Sequence, residues 1–243
     1  MNEKFQLTYF QFNSKSILIT WQNSIKNEIL YDVFSFKRAI ELSFKPILEV
    51  RNAYNSLLVS YDSTIDNIYS EFTSLKSIYN KRNQYEIKDR NIWKIPVCYN
   101  DYFGKDLETI SDKLKLEKKK IIQLHYENTY TICFLGFLPG FLYLSNLNKK
   151  LYFPRKIEPE LNIIKGSVAI GGSQTGVYPS NSPGGWNVIG NSPIDFINNS
   201  NKGKISFAKP GDLIKFHSIT IDEHEQITNN LDTYIIESEV SND

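Results

Sequence analysis

Along the first hundred residues the apolar positions switch between a period of two and a period near 3.6, the alternation expected of strands and helices following one another. Residues 16–21 read as a short strand, and Phe36, Ala39, Ile40 and Ser43 then keep helical spacing toward Pro46, before which a helix has to end. Residues 47–50 and 56–61 return to strand. Ser63-Thr64-Ile65-Asp66 has the form of a capping box, and Ile65, Ile68, Phe72, Leu75 and Ile78 behind it draw one helical stripe. Residues 92–99 are strand again. The order β-β-α-β-β-α-β predicts a small split βαβ sandwich with helices on one face of a sheet.

The pattern then changes. Two helices are predicted over residues 106–114 and 117–126, the second opening on Glu117-Lys118-Lys119-Lys120, which reads as a solvated face. From Thr129 onward come short apolar runs, TICFLGF, LYF, SVAIGG, WNVIG, PIDFIN, KISFA and LIKFH, separated by turn residues. Strands this short and this regularly punctuated predict a barrel or sandwich. Pro210-Gly211-Asp212 is a turn into a late strand, and the polar chain past Asp222 is expected to fray. All 12 glycines lie at Gly104 or later, so the two parts of the chain use different backbone chemistry. We therefore expect two domains, residues 1–90 and 91–243.

Charge is nearly balanced, 28 Lys+Arg against 27 Asp+Glu, which gives no support for nucleic acid or an anionic membrane as partner. The start, MNEKFQLTYF, lacks a basic region followed by an apolar one, and no apolar stretch approaches the length of a membrane span. A cytoplasmic location is expected. Cys98 and Cys133 lack CxxC spacing and are expected as buried free thiols, and no metal site is expected.

The densest chemistry lies between Gly136 and Gly190. GGSQTG, residues 171–176, has no Gly-Lys-Ser/Thr and no helix pattern after it, so it reads as a strand corner rather than a phosphate cradle. Gln174 is a candidate for reading a substrate amide, or else for locking its own loop. Tyr143 and Tyr178 are candidate phenolic donors to a carbonyl or oxyanion, with packing under loops as the alternative. Arg155 suits a carboxylate, or a surface salt bridge. Trp186, after Ser182-Pro183-Gly184-Gly185, is expected to anchor its loop. His125 stands at a helix end, where a protonated imidazole complements the carbonyl dipole, and no Ser/His/Asp or Cys/His constellation surrounds it in the sequence.

Several motifs in order carry a resemblance: IPVCY (95–99), FGKDL (103–107), His125, GFLPGFLYL (136–144), Pro154-Arg155, GSVAIGGSQTGVYP (166–179), SPGGWNVIG (182–190), PGDLIKF (210–216) and, earlier, YNSLLVSYD (54–62). The chain resembles the KipI / 5-oxoprolinase B-subunit family, also described as allophanate hydrolase subunit 1 or as subdomains C and D of a carboxyltransferase domain. That resemblance implies an α+β protein, a ferredoxin-like α/β domain followed by a cyclophilin-like β-barrel. It implies one component of an ATP-dependent 5-oxoprolinase, a complex that opens 5-oxo-L-proline to L-glutamate. Its partners would be the A-like and C-like components of that 5-oxoprolinase, with ATP held by the complex.

Two other functions lie within the same family, inhibition of a sensor histidine kinase and a part in a urea carboxylase/allophanate hydrolase system. On the enzyme reading, His125, Tyr143 and Gln174 are expected catalytic residues, and Arg155, Tyr178, Ser182, Gly184 and Trp186 are expected substrate contacts. The chain departs from the family pattern at Lys156, Pro159-Glu160, Ile164-Lys165 and Asn191, which replaces or removes three basic positions.

Overall fold

A computed structural model describes residues 5–22, 26–43, 47–83, 90–197 and 206–241 of the 243. The chain divides into two compact units, residues 1–87 and 88–243.

The first unit contains β1 (Thr8–Asn13), β2 (Ser16–Thr20), α1 (Asn27–Ser43), β3 (Ile47–Asn52), β4 (Ser56–Tyr61) and α2 (Ile68–Lys81). Its antiparallel sheet has the order β1-β2-β4-β3. Alternation sorts the faces: Ile17, Ile19, Leu57 and Val59 are fully buried with Phe36 and Ile40 of α1 and Leu75 of α2. In the same unit Asp32 accepts hydrogen bonds from Trp21 Nε1 and Tyr79 Oη, each 2.8 Å, and pairs with Arg82. The helix start differs from expectation. Asn67 caps α2, its Oδ1 accepting from the N–H of Tyr69 and of Ser70, so the cap lies one turn beyond the Ser63–Asp66 match. Ile65 is spent earlier, its N–H donating to Ser14 O.

The second unit begins with β5 (Arg90–Cys98), which joins the barrel rather than the first sheet. Then follow α3 (Leu107–Leu114), α4 (Lys118–Tyr126), β6 (Thr129–Leu135), β7 (Leu142–Ser145), β8 (Glu160–Ile163), β9 (Ser167–Gly171) and β10 (Gln174–Val177). Further on come β11 (Ser182–Gly184), β12 (Asn187–Asn191), β13 (Leu213–Ile219), α5 (Ile221–Asn229) and β14 (Ser238–Ser241). The sheet order is β12-β9-β10-β7-β6-β13-β5-β14, and the pairing of Asn191 with Cys98 closes β12 onto β5 as a barrel. β13 runs parallel to β5, from Leu213 opposite Ile92 to Ile219 opposite Cys98. The fold is thus α+β, a helix-covered sheet and a barrel.

Strand alternation also explains two cores in this unit. Val168 and Ile170 of β9 enter the barrel with Leu142, Leu144, Val177 and Phe216, whereas Ala169 joins Phe141, Ile163, Tyr178, Trp186 and Val188 in a separate cluster. A short ribbon of β8 paired with β11 contributes Ile163 to that cluster, so β9 is buried on both faces.

The segment past Asp222 is tied down, contrary to the fraying expected of it. Thr220 and Glu223 form a capping box at α5, His224 packs 4.4 Å from the Phe103 ring, and β14 pairs with β5. Cys98 and Cys133 are buried thiols outside any disulfide. No helix among the described residues is long and apolar enough to cross a membrane, and no group of three metal-ligating side chains occurs among them.

Candidate functional site

A cleft of about 330 Å³ opens in the second unit over the smaller cluster. Its floor is aromatic, formed by Phe141, Tyr143, Tyr178 and Trp186, and Phe137 stands on the rim. Pro159 and Pro183-Gly184-Gly185 line it as well, together with Arg155. Phe141 meets Trp186 edge-on at 5.6 Å and Tyr178 at 5.0 Å, so the rings fix one another.

Glycines permit that packing. A Cβ on Gly171 would lie 2.5 Å from Trp186 Nε1, and one on Gly184 would lie 2.3 Å from Tyr178 Oη. The loop after β6 is tight: Leu138 N–H donates to Gly136 O, and Phe141 N–H to Leu138 O. Within it Phe137 has φ 68°, a left-handed conformation uncommon for a bulky residue, and it remains 62% exposed at the mouth.

Arg155 is held from both sides. Asn187 Nδ2 donates to Pro154 O at 2.8 Å, and Lys156 N donates to Gly185 O at 2.7 Å. Its guanidinium carbon stands 5.4 Å from the Trp186 ring centre, within cation–π range. Burial pushes the Tyr143 phenol up and the Arg155 charge draws it back. Burial likewise pushes Tyr178 up to about 12, against the pull of the Trp186 backbone amide and of Arg155. Both phenols stay protonated at neutral pH and can donate.

Of the eight expected site residues, the cleft gathers Tyr143, Arg155, Tyr178, Gly184 and Trp186. Three lie elsewhere. His125 is fully buried in the barrel core, stacked on Phe216 at 4.9 Å. Burial lowers its pKa to about 3, so it is neutral, which corrects the protonated helix-end role.

Its bonds can be assigned in order. Thr175 Oγ1 donates to Ala169 O at 3.0 Å, so it accepts from His125 Nε2 at 2.9 Å, and Nδ1 then accepts from Tyr99 Oη at 2.8 Å. Such an imidazole ties α4 to Tyr99 and to β10 and is not among the residues that line the cleft. Gln174 opens β10 beside the Gly172 turn and does not line the cleft. Ser182 is 8% exposed in β11, and its Oγ has no hydrogen-bond partner among the described residues.

The glycine-rich segment at 171–176 is a β9–β10 hairpin, with Gly172 at φ 68° and a strand after it. It offers no helix N-terminus to a phosphate. Asn191, expected to stand where the family pattern has a basic residue, makes structural contacts, with Nδ2 donating to Lys165 O and Oδ1 2.9 Å from His224 Nε2. Phe137 and Phe141 join the site without a matching expectation from the sequence. Alternation carries a signal for Phe141, which immediately precedes β7 and falls on the same side as Tyr143 while Leu142 and Leu144 take the other.

Residues 7–207 match the carboxyltransferase domain, subdomain C and D. The chain belongs to this family. The B subunit of 5-oxoprolinase from Bacillus subtilis (strain 168) is 33% identical over 222 residues, covering 86% of this chain and 92% of that protein. The structure of TTHA0988 superposes with a TM-score of 0.70 at 26% identity, covering 88% of this chain and 40% of the longer one. The urea carboxylase of Kluyveromyces lactis shares the fold at 19% identity, with a TM-score of 0.84, and this family member spans 24% of it. The resemblance read from the motifs therefore holds over most of the chain.

Proposed function

We propose that this chain is the B-type component of an ATP-dependent 5-oxoprolinase, and that its cleft receives 5-oxoproline for opening to glutamate. The observation that carries this reading is the chemistry of the cleft. One guanidinium and two protonated phenols line the same cleft as the Phe141 and Trp186 rings, and no carboxylate, imidazole or thiol is among the described residues that line it. Arg155 suits the carboxylate of the lactam, the aromatic rings suit its flat ring, and Tyr178 or Tyr143 suits the carbonyl oxygen on which charge develops. With no general base among those residues, delivery of the attacking oxygen falls to A-like and C-like partner proteins of the complex. The name of the Bacillus relative supports the same assignment.

ATP is expected to bind elsewhere in the complex, since the glycine-rich hairpin does not fit a nucleotide. The rim of the cleft carries exposed Phe137, with Ile157 and Leu161 on the segment that flanks it, a surface that suits closure by a second protein. The purified chain should neither open 5-oxoproline nor hydrolyse ATP, with both activities appearing when the partner proteins are added. Robust turnover by the chain alone would overturn the proposal.

A further inference from the structure

Arg155 and Lys156 are consecutive cations with different partners. Arg155 faces Trp186 in the cleft. The Lys156 ammonium instead lies between two carboxylates, 2.8 Å from Asp106 Oδ1 and 3.0 Å from Glu160 Oε2. Asp106 is anchored further, because Val188 N donates to its Oδ2 at 2.6 Å, and Glu160 also pairs with Lys105.

This arrangement leaves Arg155 with no carboxylate in ion-pair distance among the described residues. Glu160 is nonetheless near. It follows Pro159, which lines the cleft, and its charge adds to the burial that pushes the Tyr178 phenol up. Without Lys156 this carboxylate keeps only its pair with the half-exposed Lys105, a weak hold, and it would compete for the bidentate face of the guanidinium, the face an anionic ligand needs.

We propose that Lys156 determines the cleft's selectivity for carboxylate-bearing ligands by holding Glu160 away from Arg155. The inference rests on the reading that Arg155 receives the carboxylate of the lactam. Lys156 itself touches no ligand and is a positioning residue, acting through the partner that Arg155 is left to choose.

The test is the KM and kcat of the reconstituted 5-oxoprolinase complex for 5-oxoproline, with Arg155→Ala as reference. Lys156→Met should raise KM roughly tenfold, the size expected for losing a charge-assisted contact to the ligand. Adding Glu160→Gln to that variant should restore most of the affinity, because the competing charge is gone, and Lys156→Arg should stay near wild type. A purely structural role predicts no such rescue. Where Lys156→Met fails to fold, Lys156→Gln removes the charge and keeps a donor for one carboxylate. A raised KM in Arg155→Ala with wild-type KM in the Lys156 variants, or a defect that Glu160→Gln leaves unrelieved, overturns this inference alone. An unchanged KM in Arg155→Ala overturns the underlying site assignment and this inference with it.

Discussion

The indole of Trp186 lies across Gly171 so closely that a methyl group there would stand 2.5 Å from Nε1. The same ring bounds Gly176 on the neighbouring strand, where a Cβ would meet Cζ3 at 3.1 Å and Leu142 O at 2.5 Å. Two glycines on adjacent strands thus make the seat for the aromatic floor, and Arg155 is placed above the ring that fills it.

Trp186→Ala should therefore destabilise the protein by about 3 to 5 kcal/mol, the range for truncating a buried aromatic side chain. Gly171→Ala should destabilise the protein too, because Nε1 has to move. Denaturant unfolding measures both, and a Trp186→Ala midpoint equal to wild type would show that the ring contributes no packing.

The cleft makes a kinetic distinction between its members and the residues outside it. In the reconstituted complex, Tyr178→Phe keeps the ring and removes the donor, and kcat/KM should fall roughly tenfold or more. Gln174→Ala should leave kcat/KM near wild type, since Gln174 does not line the cleft. Equal losses in the two variants would extend the site to the β9–β10 hairpin.

His125 sets a pH dependence of stability. Its folded-state pKa of about 3 lies below the ordinary 6.5, so the unfolded chain takes up the proton first. Stabilisation by the neutral imidazole is complete above about pH 6.5 and is lost as pH falls toward 3, at no more than about 1.4 kcal/mol per pH unit. His217 and His224 are lowered by burial as well and act in the same direction. The informative quantity is the gap in unfolding free energy between wild type and His125→Gln, which should narrow from pH 7 to pH 4. A gap independent of pH would mean that His125 is not held neutral.

In the first unit, Asp32→Ala would leave Arg82, Trp21 Nε1 and Tyr79 Oη without their shared acceptor. A loss of about 3 to 5 kcal/mol is expected, the usual result of removing one partner from a buried ion pair. Asp32→Asn retains an acceptor and should lose less. Chemical denaturation of the two variants compares them directly.

Much of this is legible in the sequence because glycine, proline and alternation act locally. The turn-rich segments bring Arg155, Tyr178 and Trp186 near one another, and the runs TICFLGF, SVAIGG, WNVIG and LIKFH hold barrel strands, whereas LYF and PIDFIN form none among the described residues and KISFA begins outside them. What a period of two leaves open is which face is covered by what. Ala169 and Val168 are both buried, yet they belong to different cores, and only the β8–β11 ribbon decides this.

A position at a helix end suggests a charged His125, but its spacing of four from Ile121 puts it on the buried face of α4. Lys156 reads in sequence only as a departure from the family pattern, because one of its carboxylate partners, Asp106, lies fifty residues earlier in the chain and the other, Glu160, stands on β8. The cap of α2 is hard to place from sequence because a Ser-Thr-Ile-Asp match precedes the asparagine that makes the actual bonds.

The parallel seating of β13 on β5 also dictates an order of events. Every strand of the first sheet lies between Thr8 and Tyr61, so that unit can assemble while the barrel strands are still to be made. The strands that flank β5 are β12, β13 and β14, and the side chain of Asp212 takes the Asn91 amide across 121 residues. Closure therefore waits for β13 to leave the ribosome, and its speed is set by a long-range encounter rather than by local turns. Until then Ile95 and Val97 are apolar strand surface without a lid, the form in which a chaperone would meet this protein. Protease protection of stalled nascent chains ending before and after residue 219 reads that interval directly.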